Sequence, residues 1–197
     1  EETGKINVIA LDKTGTITAG TPKVTDIYPM EGITDNELLQ MAYSLEINSE
    51  HPLAKAVVER AEGDGIISEE ITDFLALTGN GLTGTLNGEK LLGGSIKYMD
   101  ETIGLNEKAK EISQEYASQG KTPLLFAKNN KLMGIIAVAD IIKEDSAQAI
   151  KELQNMDIKV VMVTGDNERT ANAISKQVGT DDVIAGVLPD GKEEVIK

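Results

Sequence analysis

The sequence predicts an α/β domain with a parallel sheet, into which an α+β module with an antiparallel sheet is inserted. Near-continuous apolar runs at residues 6–11 and 158–163 each end at a polar turn. Strands buried on both faces have this composition, and their alternation with helices is typical of a parallel sheet covered by helices. Hairpin signals dominate the region between the two runs. The first strand therefore precedes the insertion, and the other strands of the parallel sheet follow it.

The parallel-sheet domain is predicted to contain two helices and a third strand after the insertion. Ala147, Ile150 and Leu153 share one helical face, and a second helical pattern stops at Gly179. The third strand is predicted at residues 182–187. Hinges are expected near residues 20–23 and 139–143. These boundaries assign residues 1–21 and 139–197 to the parallel-sheet domain and residues 22–138 to the inserted module.

The inserted module combines helices with hairpins. Thr34 and Glu37 form a capping box ahead of one helix, and Pro52 suits the first turn of the next. A third helix is predicted to end at Gly120. Turn signals at residues 87–88 and 129–130 separate strand-like stretches, which are residues 71–77, 82–86, 90–92, 123–127 and 132–139. We expect an antiparallel sheet with helices on one side.

Composition excludes several classes of function. Thirty-three acidic residues against nineteen basic ones give a formal charge of -14, which disfavours nucleic acid as a partner. Cysteine is absent, so neither a disulfide nor a thiolate metal site is available. No apolar run approaches the ~18 residues of a membrane span. The chain starts just before a strand and stops inside an apparent helix, so we expect a soluble segment of a longer protein.

The strongest chemical signal is the segment 12–18, which reads Asp-Lys-Thr-Gly-Thr-Ile-Thr. Asp12 ends a predicted buried strand, which is where open α/β sheets place their ligands. Gly15 allows the backbone to approach an anion closely. A carboxylate in this position can attack phosphorus and form an acyl phosphate. The simpler alternative, an acid that caps a turn, does not explain the whole segment.

Two later segments carry candidate phosphate-site residues. Residues 164–167, Thr-Gly-Asp-Asn, join a predicted strand to a helix, whose first N–H groups attract phosphate. A turn capped by Asp166 or Asn167 is the alternative interpretation. Lys192 follows Leu-Pro-Asp-Gly and could neutralise phosphoryl charge, although an isolated lysine is usually a solvated surface residue.

These segments resemble the signature motifs of P-type ATPases, a family of the haloacid-dehalogenase-like fold class. The resemblance implies that ATP phosphorylates Asp12 and that the carbonyl of Thr14 joins Asp12 in binding Mg²⁺. It implies that Thr164 binds the phosphoryl oxygens and that Lys192 neutralises charge. The neighbouring residues Lys13, Gly165 and Asp166 are assigned to the same site.

The inserted module resembles the heavy-metal branch of the family through Ser-Glu-His-Pro-Leu at residues 49–53. The resemblance implies that His51 and Glu46 contact the adenine region of ATP, although a lone histidine before a helix is more often a cap. It also implies that Gly79 and Gly81 lie against the nucleotide. Ser95 stands where the family usually has an asparagine that helps to hold the nucleotide.

The resemblance therefore predicts ATP and Mg²⁺ as cofactors and the ATP-binding and phosphorylation region of a metal pump, the cytoplasmic portion of an integral membrane protein. Copper(I) is the predicted transported ion, and zinc or cadmium is the alternative. The resemblance implies that the ion binds to membrane helices outside this chain, and that those helices and an actuator domain are the partners of this chain in the whole pump. The family's Gly-Asp-Gly-x-Asn-Asp segment is absent, so we expect little self-phosphorylation. A soluble phosphatase and a nucleotide-binding regulatory module are the rival interpretations. Thr14 argues against the phosphatase, since those enzymes usually have a second Asp there as general acid.

Overall fold

The computed structural model describes residues 6–77 and 81–187 and confirms the predicted fold class. The chain divides into two compact units. The first consists of Glu1–Thr21, Ala117–Gly120 and Asp140–Lys197, and the second of Pro22–Tyr116 and Lys121–Ala139. None of the helices in the described residues is long and apolar enough to cross a bilayer.

The described residues form nine strands and six helices. The strands are β1 (Val8–Asp12), β2 (Thr18–Pro29), β3 (Thr72–Leu77), β4 (Gly81–Leu86), β5 (Glu89–Gly94), β6 (Thr122–Lys128), β7 (Lys131–Ile142), β8 (Lys159–Val163) and β9 (Asp182–Ile184). The helices are α1 (Asp35–Glu46), α2 (Pro52–Gly63), α3 (Ile96–Ile103), α4 (Glu107–Ser118), α5 (Ser146–Asn155) and α6 (Glu168–Val178).

The first unit contains a parallel sheet in the order β1-β8-β9. Its core joins Val160 and Met162 of β8 to Ile150 of α5 and Ile174 of α6. Gly179 ends α6 with a φ of 81°, as predicted, because glycine adopts the left-handed conformation without a steric penalty.

The expectation that β1 is buried on both faces is wrong, because the strand begins exposed and residues 9–12 are only half-buried. Val8 is 56% exposed, and Ile6, which precedes the strand, is also exposed. Among the described residues, β1 lies at an edge of the three-stranded sheet, which leaves part of its surface uncovered. Leu11 is partly buried and packs against the core of this unit.

The second unit is built on a six-stranded sheet in the order β2-β7-β6-β5-β4-β3, and its pairings from β7 to β3 are antiparallel. Helices cover both faces of this sheet, so the prediction of helices on one side is wrong. Leu91 packs in a cluster with α1 and α2, whereas Leu92 packs in another with α3 and α4. Phe126 and Leu125 divide in the same way, because successive strand residues point to opposite faces.

The local sequence of β2 predicts no strand, because it contains Gly20 and two prolines. Gly20 and Pro22 of the first predicted hinge lie within a strand that runs from Thr18 to Pro29, and the boundary between the two compact units falls inside that hinge, between Thr21 and Pro22. β2 stands at the end of the sheet order, and an edge strand tolerates proline because one side of it needs no ladder hydrogen bonds. Residues 139–142 of the second predicted hinge likewise belong to β7, and the second boundary between the units falls there, between Ala139 and Asp140.

Candidate functional site

Asp12 and Thr164 lie at the carboxyl ends of two neighbouring strands of the parallel sheet. The register of β1 and β8 pairs Asp12 with Val163, and Thr164 is the next residue. Parallel strands direct their carboxyl ends to one side, where α/β sheets bind ligands. Thr164 is almost completely buried. The two motifs singled out in the sequence are therefore brought together by one strand pair.

The turn that follows Asp12 is a tight loop over Lys13–Ile17. Gly15 has a φ of 79°, and a Cβ built there would meet no atom within 4 Å. Its backbone conformation, and not lack of space, therefore favours glycine. Ile17 is 2% exposed and packs in the core with Ile150 and Met162. This side chain anchors the far end of the loop while Thr14 and Gly15 stay exposed.

Lys13 and Asp166 form an ion pair across the two strand ends. Lys13 Nζ lies 2.9 Å from Asp166 Oδ2, and the side chains are only 10% and 17% exposed. Asp166 Oδ2 has no directed hydrogen bond, so the contact is an electrostatic one. Removing either partner would leave a charge in a poorly solvated place. The charge of Asp166 therefore balances that of Lys13 within the site.

Backbone contacts fix the turn after β8. Thr164 N donates to the Ile184 carbonyl at 3.0 Å, and Gly186 N donates to the Asp166 carbonyl at 2.9 Å. The N–H of Asp166 donates to Thr164 Oγ1 at 3.1 Å, so that amide already has a partner within the turn. Of the two capping candidates, Asn167 is the one that caps α6, accepting from Thr170 N.

Glu46 is a buried carboxyl group at the last residue of α1. Only 6% of its surface is exposed, and this burial raises its pKa to about 7. The helix around it packs closely on the sheet, because a Cβ on Gly93 would lie 3.1 Å from Leu45 Cδ2. Near pH 7 the carboxyl group of Glu46 is therefore protonated in about half of the molecules, and in that form it can donate as well as accept a hydrogen bond.

His51 is the N-cap of α2. Its Nδ1 accepts a hydrogen bond from Leu53 N at 3.2 Å, which assigns the ring proton of the neutral form to Nε2. The residue keeps much of its surface in solvent, but the protein around the ring disfavours its charged form and lowers its pKa. The capping alternative is therefore realised, and it leaves Nε2–H as a donor.

Gly81 and Ser95 lie close together at one end of the β4–β5 ladder. Gly81 pairs with Gly94, the residue before Ser95. Ser95 caps α3, its Oγ accepting from Tyr98 N at 3.3 Å. A Cβ on Gly81 would lie 2.3 Å from the Gly93 carbonyl and 2.7 Å from the Tyr98 ring. The protein's own packing therefore requires glycine at position 81.

Comparisons with known proteins place the chain in a family. The family model described as haloacid dehalogenase-like hydrolase matches residues 6–197. The chain belongs to the haloacid dehalogenase-like hydrolase family. The copper-exporting P-type ATPase of Staphylococcus saprophyticus is 45% identical over 198 residues, which cover 100% of this chain and 24% of that protein. The haloacid dehalogenase-like chain thus spans about a quarter of the length of the curated relatives it matches.

Solved structures extend the similarity to the fold. A crystal structure of a zinc-transporting PIB-type ATPase in the E2.Pi state matches with a TM-score of 0.70 and 36% identity, covering 98% of this chain and 31% of that one. The N-domain of HMA8, a copper-transporting P-type ATPase, matches with a TM-score of 0.51 and 25% identity, covering 58% of this chain and 98% of that one. The resemblance to heavy-metal P-type ATPases found in the sequence is thereby confirmed.

The residues that this haloacid dehalogenase-like chain presents beside Asp12 suit magnesium. Asp12 supplies a carboxylate, and the exposed loop at Thr14 has backbone carbonyls within two residues of it. Within residues 6–77 and 81–187 no three Asp, Glu or His side chains converge as a metal cluster. Mg²⁺ usually needs fewer, because one or two carboxylates hold it together with substrate phosphates and water.

Two predicted site residues, Gly79 and Lys192, lie outside the described residues. Three residues in contact with the site were not assigned to it from the sequence. Tyr98 packs on Gly81, while Lys143 and Ser146 bond the loop after Asp12. Lys143 belongs to the motif at the second predicted hinge, but no local pattern in the sequence links it to residues more than a hundred positions earlier.

Proposed function

We propose that this chain is the ATP-binding and phosphorylation region of a copper(I)-transporting P-type ATPase, with Asp12 as the residue that is phosphorylated. The observation that carries the proposal is the position of Asp12 at the end of β1, in register with the strand that leads into Thr164. The 45% identity to a copper-exporting relative over the whole chain supports the choice of ion.

The proposed reaction is a transfer of the γ-phosphoryl group to the Asp12 carboxylate. A carboxylate oxygen attacks the γ-phosphorus and forms the new O–P bond. The bond from the γ-phosphorus to the bridging oxygen breaks, and ADP leaves with the electron pair. Hydrolysis of the acyl phosphate by water then restores Asp12 and releases phosphate. In the whole protein this cycle drives ion transport.

In this scheme the residues around Asp12 bind the phosphoryl group and neutralise its negative charge. Thr164 and Gly165 contact the phosphoryl oxygens, while Lys13, balanced by Asp166, supplies a fixed positive charge. Lys192 adds a second positive charge. Mg²⁺, held by Asp12 and the Thr14 carbonyl, would neutralise charge on the phosphate during the transfer.

The inserted module is proposed to bind the adenine nucleotide. His51 offers Nε2–H, and Glu46 offers a carboxyl group that is protonated in about half of the molecules near pH 7. Both can hydrogen-bond an adenine ring. Gly79, Gly81 and Ser95 would line the same surface, with the Ser95 hydroxyl free to donate because its oxygen only accepts in the α3 cap.

Zinc or cadmium transport is the alternative within the same class, and the 36% identity to a zinc-transporting ATPase supports it less strongly than the copper relatives support copper. A soluble phosphatase of the family is the alternative outside transport. Thr14 disfavours it, because a threonine at that place provides no acid or base to release the phosphate. We therefore expect a long-lived acyl phosphate.

The test is phosphorylation of the complete gene product that carries this chain, in membrane vesicles with labelled ATP and Mg²⁺. We expect an acid-stable, hydroxylamine-sensitive label that Asp12→Asn abolishes and that copper(I) stimulates more than zinc. Label that survives Asp12→Asn would show that another residue is the nucleophile. Zinc-selective stimulation would favour the alternative ion.

The chain by itself is proposed to bind nucleotide but to phosphorylate itself weakly. The Gly-Asp-Gly-x-Asn-Asp segment of the family, which the resemblance assigns a further Mg²⁺ ligand, is not in the sequence. Because only one or two protein carboxylates usually bind Mg²⁺, the loss of one of them removes a large fraction of the ligands that the protein provides. Calorimetric titration with ATP separates binding from transfer: heat of binding without label is the expected result.

A further inference from the structure

Distant residues hold the carbonyl oxygens of the loop that follows Asp12. Lys143 Nζ donates to the Gly15 carbonyl at 2.9 Å, and Ser146 Oγ donates to the Ile17 carbonyl at 2.7 Å. The backbone N–H of Lys143 donates to the Ile17 carbonyl as well, at 3.1 Å. The loop is thus bonded at two alternate carbonyls by Lys143, which follows β7, and by Ser146, the first residue of α5.

The two side-chain contacts differ in strength. Ser146 is 7% exposed, and its bond to Ile17 is buried, so losing the hydroxyl would leave a carbonyl lone pair without its partner. Lys143 is exposed, and its bond to Gly15 is weakened by competition with water. The serine therefore sets the position of the loop, and the lysine restrains its tip.

The loop needs such restraint because of its composition. Gly15 has a φ of 79°, and a glycine without contacts to fix it populates several backbone conformations, so bonds from outside the loop are needed to select this one. The peptide that joins Thr14 to Gly15 carries the Thr14 carbonyl, and its direction changes with every such change of conformation. A bond at the next carbonyl, that of Gly15, limits this freedom.

We propose that Lys143 and Ser146 are positioning residues that form a carbonyl clamp, which aims the Thr14 carbonyl at the magnesium site. The inference rests on the proposed function, because it takes Asp12 and Thr14 as the Mg²⁺ ligands. Groups that orient metal ligands without touching the metal typically change its affinity about 10–100-fold. The Gly15 carbonyl belongs to the peptide next to that of Thr14, and the Ile17 carbonyl lies two peptides further along, so we expect an effect at the low end of this range, about 10-fold, when both side chains are removed.

The experiment is a titration of this chain with MgCl₂, followed through the backbone amide resonances of Thr14, Gly15 and Thr16. Ser146→Ala changes no charge and therefore isolates positioning. We expect it to raise the Mg²⁺ midpoint about 3-fold or more, and the double variant with Lys143→Met about 10-fold. Lys143→Arg alone should leave the Mg²⁺ midpoint at the value of the unaltered chain, because arginine keeps a donor of the same charge.

Controls separate this effect from general destabilisation. Lys151→Met removes an exposed positive charge from α5 and should leave the midpoint unchanged. Thermal unfolding of each variant reports stability; a clamp with a purely structural role would lower the melting temperature without moving the Mg²⁺ midpoint. Midpoints of both clamp variants within about 2-fold of the unaltered chain would overturn the proposal.

Asp12→Asn distinguishes failure of the clamp from failure of the proposed function. If Asp12→Asn abolishes the Mg²⁺ response and the clamp variants respond like the unaltered chain, only the clamp is wrong. If Asp12→Asn responds like the unaltered chain, Mg²⁺ binds elsewhere and the proposed role of Asp12 fails together with the clamp. If neither responds, only the clamp proposal fails, because phosphorylation of the complete gene product, which carries the further Mg²⁺ ligand, still decides the proposed function.

Discussion

Replacing Glu46 by glutamine should flatten the dependence of stability on pH in the inserted module. Burial raises the pKa of this carboxyl group from its ordinary 4.5 to about 7 in the folded chain. Between these two pH values the folded state holds a proton that the unfolded state has lost. Stability therefore falls as pH rises from about 4.5 to 7, and the full cost is present above pH 7.

The magnitude follows from the size of the pKa change. Each pH unit of difference between folded and unfolded pKa corresponds to about 1.4 kcal/mol, so Glu46 costs about 3 kcal/mol at pH 8. Glu46→Gln removes the ionisation but keeps the shape of the side chain. We expect the variant to be more stable than the unaltered chain by up to about 3 kcal/mol at pH 8 and nearly equal to it at pH 4.5.

Urea unfolding at pH 5, 6, 7 and 8, followed through amide resonances of α1, measures this difference. Labelling the carboxyl carbons gives the midpoint of Glu46 directly, and we expect it near 7. Glu50→Gln removes an exposed acid four residues away and should leave the pH profile unchanged. Two results together would refute the reasoning that burial raises the pKa of this group. The stability of Glu46→Gln and of the unaltered chain would depend on pH in the same way, and the titration midpoint of the Glu46 carboxyl group would lie near 4.5.

Two further substitutions test the packing around the site. Asp166→Asn should destabilise the first unit by about 3 kcal/mol in thermal unfolding, because it leaves the buried charge of Lys13 unpaired; Lys13→Met in the same chain should recover part of the loss. Gly81→Ala should cost about 1–3 kcal/mol, because its Cβ would collide with the Gly93 carbonyl. Gly63→Ala, in a helix with open space, should instead stabilise by about 0.5–1 kcal/mol, and equal effects of the two alanines would contradict the packing argument.

Local signals in the sequence predicted much of the fold because each depends on a few neighbouring residues. The capping box of Thr34 and Glu37 is present with both of its hydrogen bonds. Hairpins form at the predicted Asn-Gly and Asn-Asn turns, where Asn87 and Asn129 adopt positive φ. The apolar run ending at Asp12 does form a strand of a parallel sheet.

The errors arose where the deciding contacts are distant in sequence. β2 contains Gly20, Pro22 and Pro29, which suggest a break, and only its place at the end of the sheet order allows them. The clamp formed by Lys143 and Ser146 joins residues 128 and 129 positions apart, which no local pattern can indicate. The apolar pairs Leu91–Leu92 and Leu125–Phe126 did contain the signal for helices on both faces, since an amphipathic sheet would alternate.

The structural and the proposed binding roles of His51 can be separated because they use different ring nitrogens. Nδ1 accepts the Leu53 N–H as the N-cap of α2, so Nε2 is the atom left for a ligand. Asparagine is also a strong N-cap, and its side-chain oxygen can take the place of Nδ1 but not of Nε2. His51→Asn should therefore keep the stability of α2 while weakening ATP binding in calorimetry. His51→Ala should lose both, at a stability cost of about 1 kcal/mol. Unchanged ATP affinity in His51→Asn would assign the histidine to the cap alone and move the adenine site elsewhere in the module.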